Sequence, residues 1–227
     1  MKTKHKYSGI KLEDIKKNPL VNSFIEAANE YLGAVGYTEH GFRHVALAAS
    51  VARNVLTHLG HKEPLPELAA IAGYLHDIGN VINRQDHGQS AALISSRILA
   101  QMGATPDEIA QVISAIGNHE EEVGEPVNPI AAALILADKS DVHKDRVRNP
   151  TMIGLDIHDR VNYAAERSFL KVDGEKKTIL LELTIDTKIS EVMEYFEIFM
   201  SRMIMCRRAA EFLKCNFELS INGRKLL

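Results

Sequence analysis

The sequence predicts a mainly α fold, a helical bundle followed by a small C-terminal β-β-α-β extension. Up to about residue 143, apolar residues recur at the three- and four-residue spacing of amphipathic helices, with glycine or proline between the segments. Beyond Pro150, short runs of alternating apolar residues lie on both sides of one long helical stretch. We therefore expect a helical unit over residues 1–150 and a smaller α+β unit over residues 151–227.

The helices of the first unit follow from their apolar spacing and their end signals. In chain order they are Phe24–Leu32, about Gly41–Leu59, one that starts after Pro64 and Pro66 and ends near Gly79, about Gly88–Gln101, one from Thr105 and one from Asn128. The fifth has the clearest start, because Thr105 suits the N-cap, Pro106 the first helical position, and Glu108 completes a capping box.

The extension follows from a change of period. Apolar residues alternate on the second arm of a hairpin around Asp173-Gly174, and again in a last strand that includes Phe217 and Ile221. A helix from about Ser190 to Leu213 lies between them. Apolar strands of this kind can pair across an interface, which favours a homodimer.

Composition excludes several classes of protein. The chain has 227 residues, a formal net charge of −3, and 10 histidines against 2 cysteines. Two cysteines cannot build a disulfide framework or a cysteine-rich zinc module, and the charge lacks the basic footprint of a nucleic-acid-binding protein. The longest apolar run, Ile130–Ala137, is far shorter than the ~20 residues that span a bilayer. The basic N-terminal stretch lacks the apolar core of a secretory signal, so we expect a cytoplasmic protein without a membrane or nucleic-acid partner.

Five ionisable residues lie on the apolar faces of five predicted helices, each near a helix end. They are His44, His76, His87, His119 and Asp138. For one histidine alone, a hydrogen-bonded place in the core is the simpler interpretation. Burying an ionisable group is costly without a partner, so five such groups are better explained if they surround a shared cation. Imidazole and carboxylate together suit a divalent Mn, Fe, Co, Ni or Zn ion.

The doublet His76-Asp77 needs a local explanation. Neighbouring helical residues point about 100° apart, so both can reach one site only if the helix ends there. We expect Gly79 to end it by adopting the left-handed conformation. Asp77 can then reach the cation as well, and its two oxygens can bridge two ions. The sequence thus contains the parts of a dinuclear site.

The order of these residues resembles that of the HD-domain superfamily of metal-dependent phosphohydrolases. The flanking segments HGFRHVALAASVA, AIAGYLHDIGN and LILADKSD are similar too, and the resemblance covers about residues 36–148. It implies an all-helical core with a first metal ion held by His44, His76, Asp77 and Asp138. His87 and His119 match the additional histidines of two-metal members, with Asp77 bridging, so the expected cofactor is one or two divalent transition-metal ions.

The resemblance also implies an activity. We expect hydrolysis of a phosphate ester or anhydride of a nucleotide-like small molecule (EC class 3.1) through a metal-activated hydroxide. His76 and Asp77 are the predicted catalytic residues. Arg84 and Lys139 are the cationic candidates for the substrate phosphate, and Asp141 is expected to orient a ligand or the leaving group in the same substrate site.

Alternatives stay open at this point. The segment ADKSDVHKDRVR is similar to the end of HD hydrolases that act on dinucleoside polyphosphates. Asn80 stands where many members have lysine, and Asn118 where some two-metal members have a second histidine. Both features keep a catalytically weak metal- or nucleotide-binding regulatory module under consideration. The acidic run that begins at Glu120 is interpreted as an exposed helix end, with a contact behind a metal ligand as its alternative.

Overall fold

The computed structural model describes residues 7–121 and 123–226, and it confirms the predicted mainly α bundle with a small C-terminal sheet. In chain order the helices are α1 (Leu12–Lys16), α2 (Pro19–Ala34), α3 (Phe42–His58), α4 (Leu65–Leu75), α5 (His87–Gln101), α6 (Pro106–Ile116), α7 (Pro129–Lys139), α8 (Ile157–Ala164) and α9 (Val192–Phe212). The strands are β1 (Ala165–Asp173), β2 (Thr178–Ile185), β3 (Asn216–Ile221) and β4 (Arg224–Lys225). Within the described ranges, no helix is both long and apolar enough to cross a membrane.

Two helices form the centre of the bundle. α4 and α7 are each buried at all but their first residue, which is the burial expected of helices that are apolar on every side. α3 packs against both, and α6 also contacts both. α9 of the extension packs against α7 from outside. The ends of α4 and α7 therefore lie in the interior of the protein, where polar side chains meet little water.

The predicted helix starts are confirmed where capping residues stand. At the start of α6, the carboxylate of Glu108 accepts a hydrogen bond from the backbone N–H of Thr105 at 2.7 Å, and Thr105 Oγ1 accepts from the backbone N–H of Glu108. At the start of α7, Asn128 Oδ1 accepts from the backbone N–H of Ala131 at 2.7 Å. These side chains satisfy amide groups that have no partner within the helix.

The end of α4 differs from its prediction. The helix ends at Leu75, and a short 3-10 helix at Ile78–Val81 follows the His76-Asp77 turn. The expectation that Gly79 ends the helix in a left-handed conformation is wrong, because Gly79 lies within the 3-10 helix and its φ is not positive. A Cβ at Gly79 would overlap backbone atoms of His87 and Ala91. The glycine therefore permits the close approach of α5.

The extension is a four-stranded sheet in the order β1-β2-β3-β4. β1 and β2 form the predicted hairpin, in which Asp173 pairs with Thr178. β3 runs parallel to β2, as the intervening α9 allows, and β4 adds a short strand that the alternation does not predict. The sequence pattern also gives no indication of α8. The domain boundary at residue 150 stays a prediction, and residues 1–6 and 227 of the two predicted units lie outside the described residues.

Candidate metal centre

Six buried side chains meet at the inner ends of the bundle helices. α3 carries His44 in its first turn, His76 and Asp77 follow α4, α5 begins with His87, His119 lies beyond α6, and Asp138 lies in the last turn of α7. None of the six is more than 9% exposed. The six predicted ligands thus lie together in the structure, although they are spread over some 95 positions of the chain.

His44 and His76, which we call the inner pair, lie closest to the bundle centre. Their Nε2 atoms are 3.2 Å apart, and Asp77 Oδ2 is 3.4 Å from each. Asp138 Oδ1 is 3.3 Å from His44 Nε2 and 3.6 Å from His76 Nε2. Ligand atoms around a tetrahedral metal with bonds of ~2.0 Å are about 3.3 Å apart. These four atoms therefore have the mutual spacing of a single ligand set.

His87 and His119, the outer pair, repeat the arrangement beside it. Their Nε2 atoms are 3.1 Å apart. Asp77 Oδ1 lies 3.3 Å from His87 Nε2 and 4.0 Å from His119 Nε2. Asp77 thus presents Oδ2 to the inner pair and Oδ1 to the outer pair, which is the geometry of a carboxylate that can bridge two ions.

The hydrogen bonds of the four imidazoles assign their tautomers. Every Nδ1 has an oxygen acceptor: Asp141 Oδ2 for His44 at 2.7 Å, and the carbonyls of Gly73 for His76 at 2.9 Å, Arg84 for His87 at 3.0 Å and Ile116 for His119 at 2.6 Å. A neutral imidazole that donates through Nδ1 carries a lone pair on Nε2. Four such lone pairs converge around Asp77, whose buried Oδ2 has no hydrogen-bond partner. The donor set fits a divalent cation, since only positive charge can hold these atoms together.

The electrostatics of the cluster agree with that conclusion. Burial raises the pKa of Asp77, but electrostatic attraction to the surrounding imidazoles, that of His76 first, outweighs it and holds the pKa well below its usual range. Burial lowers the pKa of His44, yet hydrogen bonds to the surrounding carboxylates raise it to about 10. A hydrogen bond to Asp77 likewise outweighs burial and raises the pKa of His87 to about 9. Burial and two nearby imidazoles lower the pKa of His119 to about 3. The ionised carboxylates therefore favour protons on the neighbouring imidazoles unless a metal ion binds in place of those protons.

Three polar residues hold the ligands from behind. Asp141 accepts from His44 Nδ1, and its carboxylate also accepts two hydrogen bonds from Arg43, at 2.8 and 3.2 Å. Glu120 Oε2 lies 3.2 Å from the Nδ1 of His87, while its Oε1 accepts from a backbone N–H at 2.7 Å. Asn80 donates to Asp77 Oδ1 at 3.0 Å. The contact of Asp141 with an imidazole corresponds to the ligand-orienting part of its predicted role.

Asn118 has no such contact with the cluster. Its amide donates to the carbonyl of Ser114 at 2.9 Å, one turn back along α6. Of the two asparagines noted in the sequence, only Asn80 therefore touches a predicted metal ligand.

The two predicted cationic residues lie at the mouth of the cluster, where both line a small recess over it. Lys139 Nζ is 2.7 Å from Asp138 Oδ2 and 3.1 Å from Glu121 Oε1, so its charge is already paired. Arg84 Nη1 is 3.3 Å from Asn80 Oδ1, and the guanidinium lies over the ring of Tyr37 at 5.6 Å. Arg84 has no ion pair within the described part of the chain, so it is the cation that can pair with a ligand.

Two further arginines line the recess and have no counterpart in the sequence-based expectations. Arg146, 3% exposed, donates to His40 Nε2 at 2.9 Å and to the carbonyl of Asp141 at 2.9 Å. Arg202 reaches the recess from α9. The recess also shares residues with a cavity of about 440 Å³ between the bundle and the start of the extension.

Comparison with known proteins adds a family. The sequence profile of the HD domain matches residues 39–143, a stretch that contains all six cluster residues. An uncharacterized protein of Methanocaldococcus jannaschii is 26% identical over 200 residues, which cover 78% of this chain and 76% of that protein. Ribonuclease Y of Opitutus terrae is 31% identical over 118 residues, which cover 52% of this chain but 21% of that protein. The chain thus spans a minor part of ribonuclease Y.

Proposed function

The chain belongs to the HD-domain superfamily, and on that premise we propose that it is a metal-dependent phosphohydrolase. The substrate class we propose is a phosphate ester or anhydride of a nucleotide-like small molecule. One observation carries the proposal: four Nε2 lone pairs and both oxygens of Asp77 converge on two adjoining positions. Membership in the family explains why such a cluster exists, and the geometry supports two ions.

The protein's own residues hold and orient the reacting groups. A bound divalent ion supplies Lewis acidity and a hydroxide nucleophile at neutral pH. His44, His76 and Asp138 would hold an inner ion, and His87 and His119 an outer one. Asp77 touches both pairs, so it would fix the distance between the ions. We therefore retain Asp77 and His76 as the residues closest to the chemistry, and the fixed Nδ1 contacts hold each imidazole ring with its Nε2 directed towards the ion positions.

Substrate binding falls to the mouth of the cluster. Arg84 is half-buried and makes no ion pair with the residues that the structure describes, which suits bidentate binding of a phosphate by its guanidinium. Lys139 is paired with Asp138 and Glu121, so its main effect would be to offset their negative charge next to an anionic substrate. Asp141 would act through His44 as a positioning residue.

The contacts of Asn80 bear on the choice between an active enzyme and a catalytically weak regulatory module. Where a lysine would contact phosphate, Asn80 instead holds the bridging carboxylate Asp77 and contacts Arg84. Its presence therefore supports an intact site rather than a degenerate regulatory module. The dinucleoside polyphosphate hydrolase stays the narrower alternative, and the likeness to ribonuclease Y makes an RNA phosphodiester a substrate to compare.

The experiment combines metal analysis with a substrate panel. Protein purified without chelator is analysed for metals, then assayed with Mn, Co, Ni or Fe on nucleotides, dinucleotides and a short RNA. We expect near-stoichiometric metal and hydrolysis of at least one nucleotide. His76→Ala should lose both, whereas His58→Ala, an exposed histidine at the end of α3, should keep both. Retention of metal and activity by His76→Ala would refute the proposal.

A further inference from the structure

The cavity of about 440 Å³ joins the metal centre to the C-terminal part of the chain. Its wall and that of the recess over the cluster share four residues: His40, Arg84, Arg146 and Arg202. Arg146 and Arg202, like the segment around α8 that closes the outer end, lie beyond residue 143, where the HD-domain match ends. The cavity is therefore completed by residues outside the family's shared region.

The arginines where recess and cavity meet differ in how far they are already used. Arg146 is buried and spends its hydrogen bonds on His40, Glu39 and Asp141. Arg202 makes an ion pair through Nε with Glu121 at 2.9 Å, and its guanidinium stacks on the ring of Phe199 at 4.5 Å. Among the described residues, the Nη1 and Nη2 groups of Arg202 make no hydrogen bond. This stacked and oriented fork can bind an anion without first losing a partner.

Arg84 is available in the same way. Its Nη1 contacts Asn80 and lies 3.4 Å from His87 Nε2, while Nη2 and Nε have no hydrogen bond within the described ranges. Together with Arg202 it gives the junction between recess and cavity two guanidinium groups with free donors. One belongs to the bundle and the other to the extension. Two such groups next to a phosphate-cleaving centre suit a second phosphate beside the one that is cleaved.

The outer end of the cavity has the opposite character. Asp156, Asp159 and Asn162 line the cavity but not the recess. The ring of Tyr37 lies between the two ends, since the Arg84 guanidinium is over it, and it is 45% exposed. Carboxylates repel phosphate but accept hydrogen bonds from hydroxyl and amino groups, and an exposed aromatic ring can stack on a base. The cavity is therefore polarised, with phosphate-binding guanidinium groups towards the metal centre, an aromatic ring beside them, and acceptors for the polar groups of a nucleoside away from it.

We propose that this cavity binds a mononucleotide that carries a diphosphate, and that Arg202 selects substrates with a second phosphate. The inference rests on the proposed function, since the terminal phosphate must reach the cluster. A volume of about 440 Å³ lies near the small end of ligand sites, which favours one nucleoside over two. Water oxygen bonds to the terminal phosphorus and the bond to the bridging oxygen breaks. The products are a nucleoside monophosphate and inorganic phosphate, with one proton released to solvent.

Binding is tested by calorimetry, without any need for turnover. The probes are adenosine diphosphate with a methylene group between its phosphates, and inorganic phosphate. We expect Arg202→Ala to weaken binding of the nucleotide analogue about 10- to 100-fold, the loss expected for a charged hydrogen-bond pair. Binding of inorganic phosphate should weaken much less. Arg207→Ala, an exposed arginine on the same helix, should bind both probes like the wild type.

Turnover separates the inference from the function on which it rests. We expect Arg202→Ala to lower the ratio of kcat/KM for adenosine diphosphate over kcat/KM for p-nitrophenyl phosphate by about tenfold or more, mainly through KM. Hydrolysis of no phosphate compound by the wild type would refute the proposed function, while the calorimetry would still test the cavity. Equal losses on both substrates would refute the role of Arg202. Tighter binding of a dinucleoside tetraphosphate than of the analogue would refute the assignment of the cavity to a mononucleotide. Arg202→Gln, which keeps the apolar stem over Phe199, repeats the test if the alanine variant unfolds.

Discussion

The inner and outer histidine pairs have the same chemistry but different surroundings. The Nε2 atoms of the inner pair, His44 and His76, have two carboxylates within 3.6 Å. His119, in the outer pair, has its nearest Asp77 oxygen at 4.0 Å. The recess over the cluster is lined by the outer pair and not by the inner pair. An enclosed ligand set suits a tightly held ion, and an open one suits an ion that meets substrate.

The largest effect is expected at Asp77, which lies between the inner and the outer pair. Asp77→Ala removes an oxygen from both ligand sets and should lower both metal content and kcat/KM. Replacing a residue that only contacts a metal ligand costs up to ~100-fold, and the loss of kcat/KM here should be larger because Asp77 is itself a predicted ligand. Metal analysis and steady-state kinetics measure the change. Asp145→Ala, an exposed carboxylate, is the matched control. Normal metal content in Asp77→Ala would show that the carboxylate does not bridge.

The next largest effects are expected from variants that change only the outer pair or only the inner pair. His119→Ala should lose the outer ion and most activity while keeping one ion per chain, because the inner ligand set stays complete. His44→Ala should weaken the inner ion instead. Native mass spectrometry counts the ions in each variant. Loss of both ions from His119→Ala would mean that the two positions are not independent in the way the geometry indicates.

A smaller effect is expected behind the inner pair. Asp141→Asn removes the charge that faces His44 Nδ1 and should weaken the inner ion about 10- to 100-fold. Competition with a chromophoric chelator measures the affinity. Because Asp141 also pairs with Arg43 and Arg146, the melting temperature of the metal-free variant is needed as a control. An unchanged metal affinity would show that Asp141 does not support the inner ion through His44.

The smallest effect is expected behind the outer pair. Glu120→Gln keeps an acceptor for the backbone N–H of Gly88 but loses the charge beside His87. The outer ion should weaken by about tenfold, the low end for such contacts, and the inner ion should not change. The same chelator competition, with two resolved steps, distinguishes the two ions. A larger loss at the inner step would contradict the assignment of Glu120 to the outer pair.

Much of the cluster could be predicted from the sequence because its residues extend periodic patterns. His76 and Asp138 end apolar helical stripes, so their inward direction follows from the 3.6-residue period alone. The order of the six then gives the family. The capping box at Thr105 and the hairpin at Asp173 could also be predicted from the sequence, since each depends on residues that are close together in the chain.

Other parts of the site depend on contacts that leave no local pattern. Arg146 meets His40 from 106 positions away, and Arg202 reaches the recess from the extension. Nothing in the spacing of either arginine indicates this. Glu120 shows a subtler limit, because it adjoins His119 in sequence yet its carboxylate contacts His87. The sequence suggested that Gly79 ends a helix, whereas in the structure a glycine is needed at this position because α5 packs too closely for a Cβ.

The most direct test of the account is the stepwise binding of metal to the wild-type chain. Metal-free protein is titrated with Mn²⁺, and native mass spectrometry follows the number of ions per chain. We predict two ions, the first bound more tightly than the second, as expected for an enclosed and an open position around one bridging carboxylate. A chain that binds no ion at near-stoichiometric concentration would contradict the metal centre itself, and a chain that stops at one ion would contradict its dinuclear geometry.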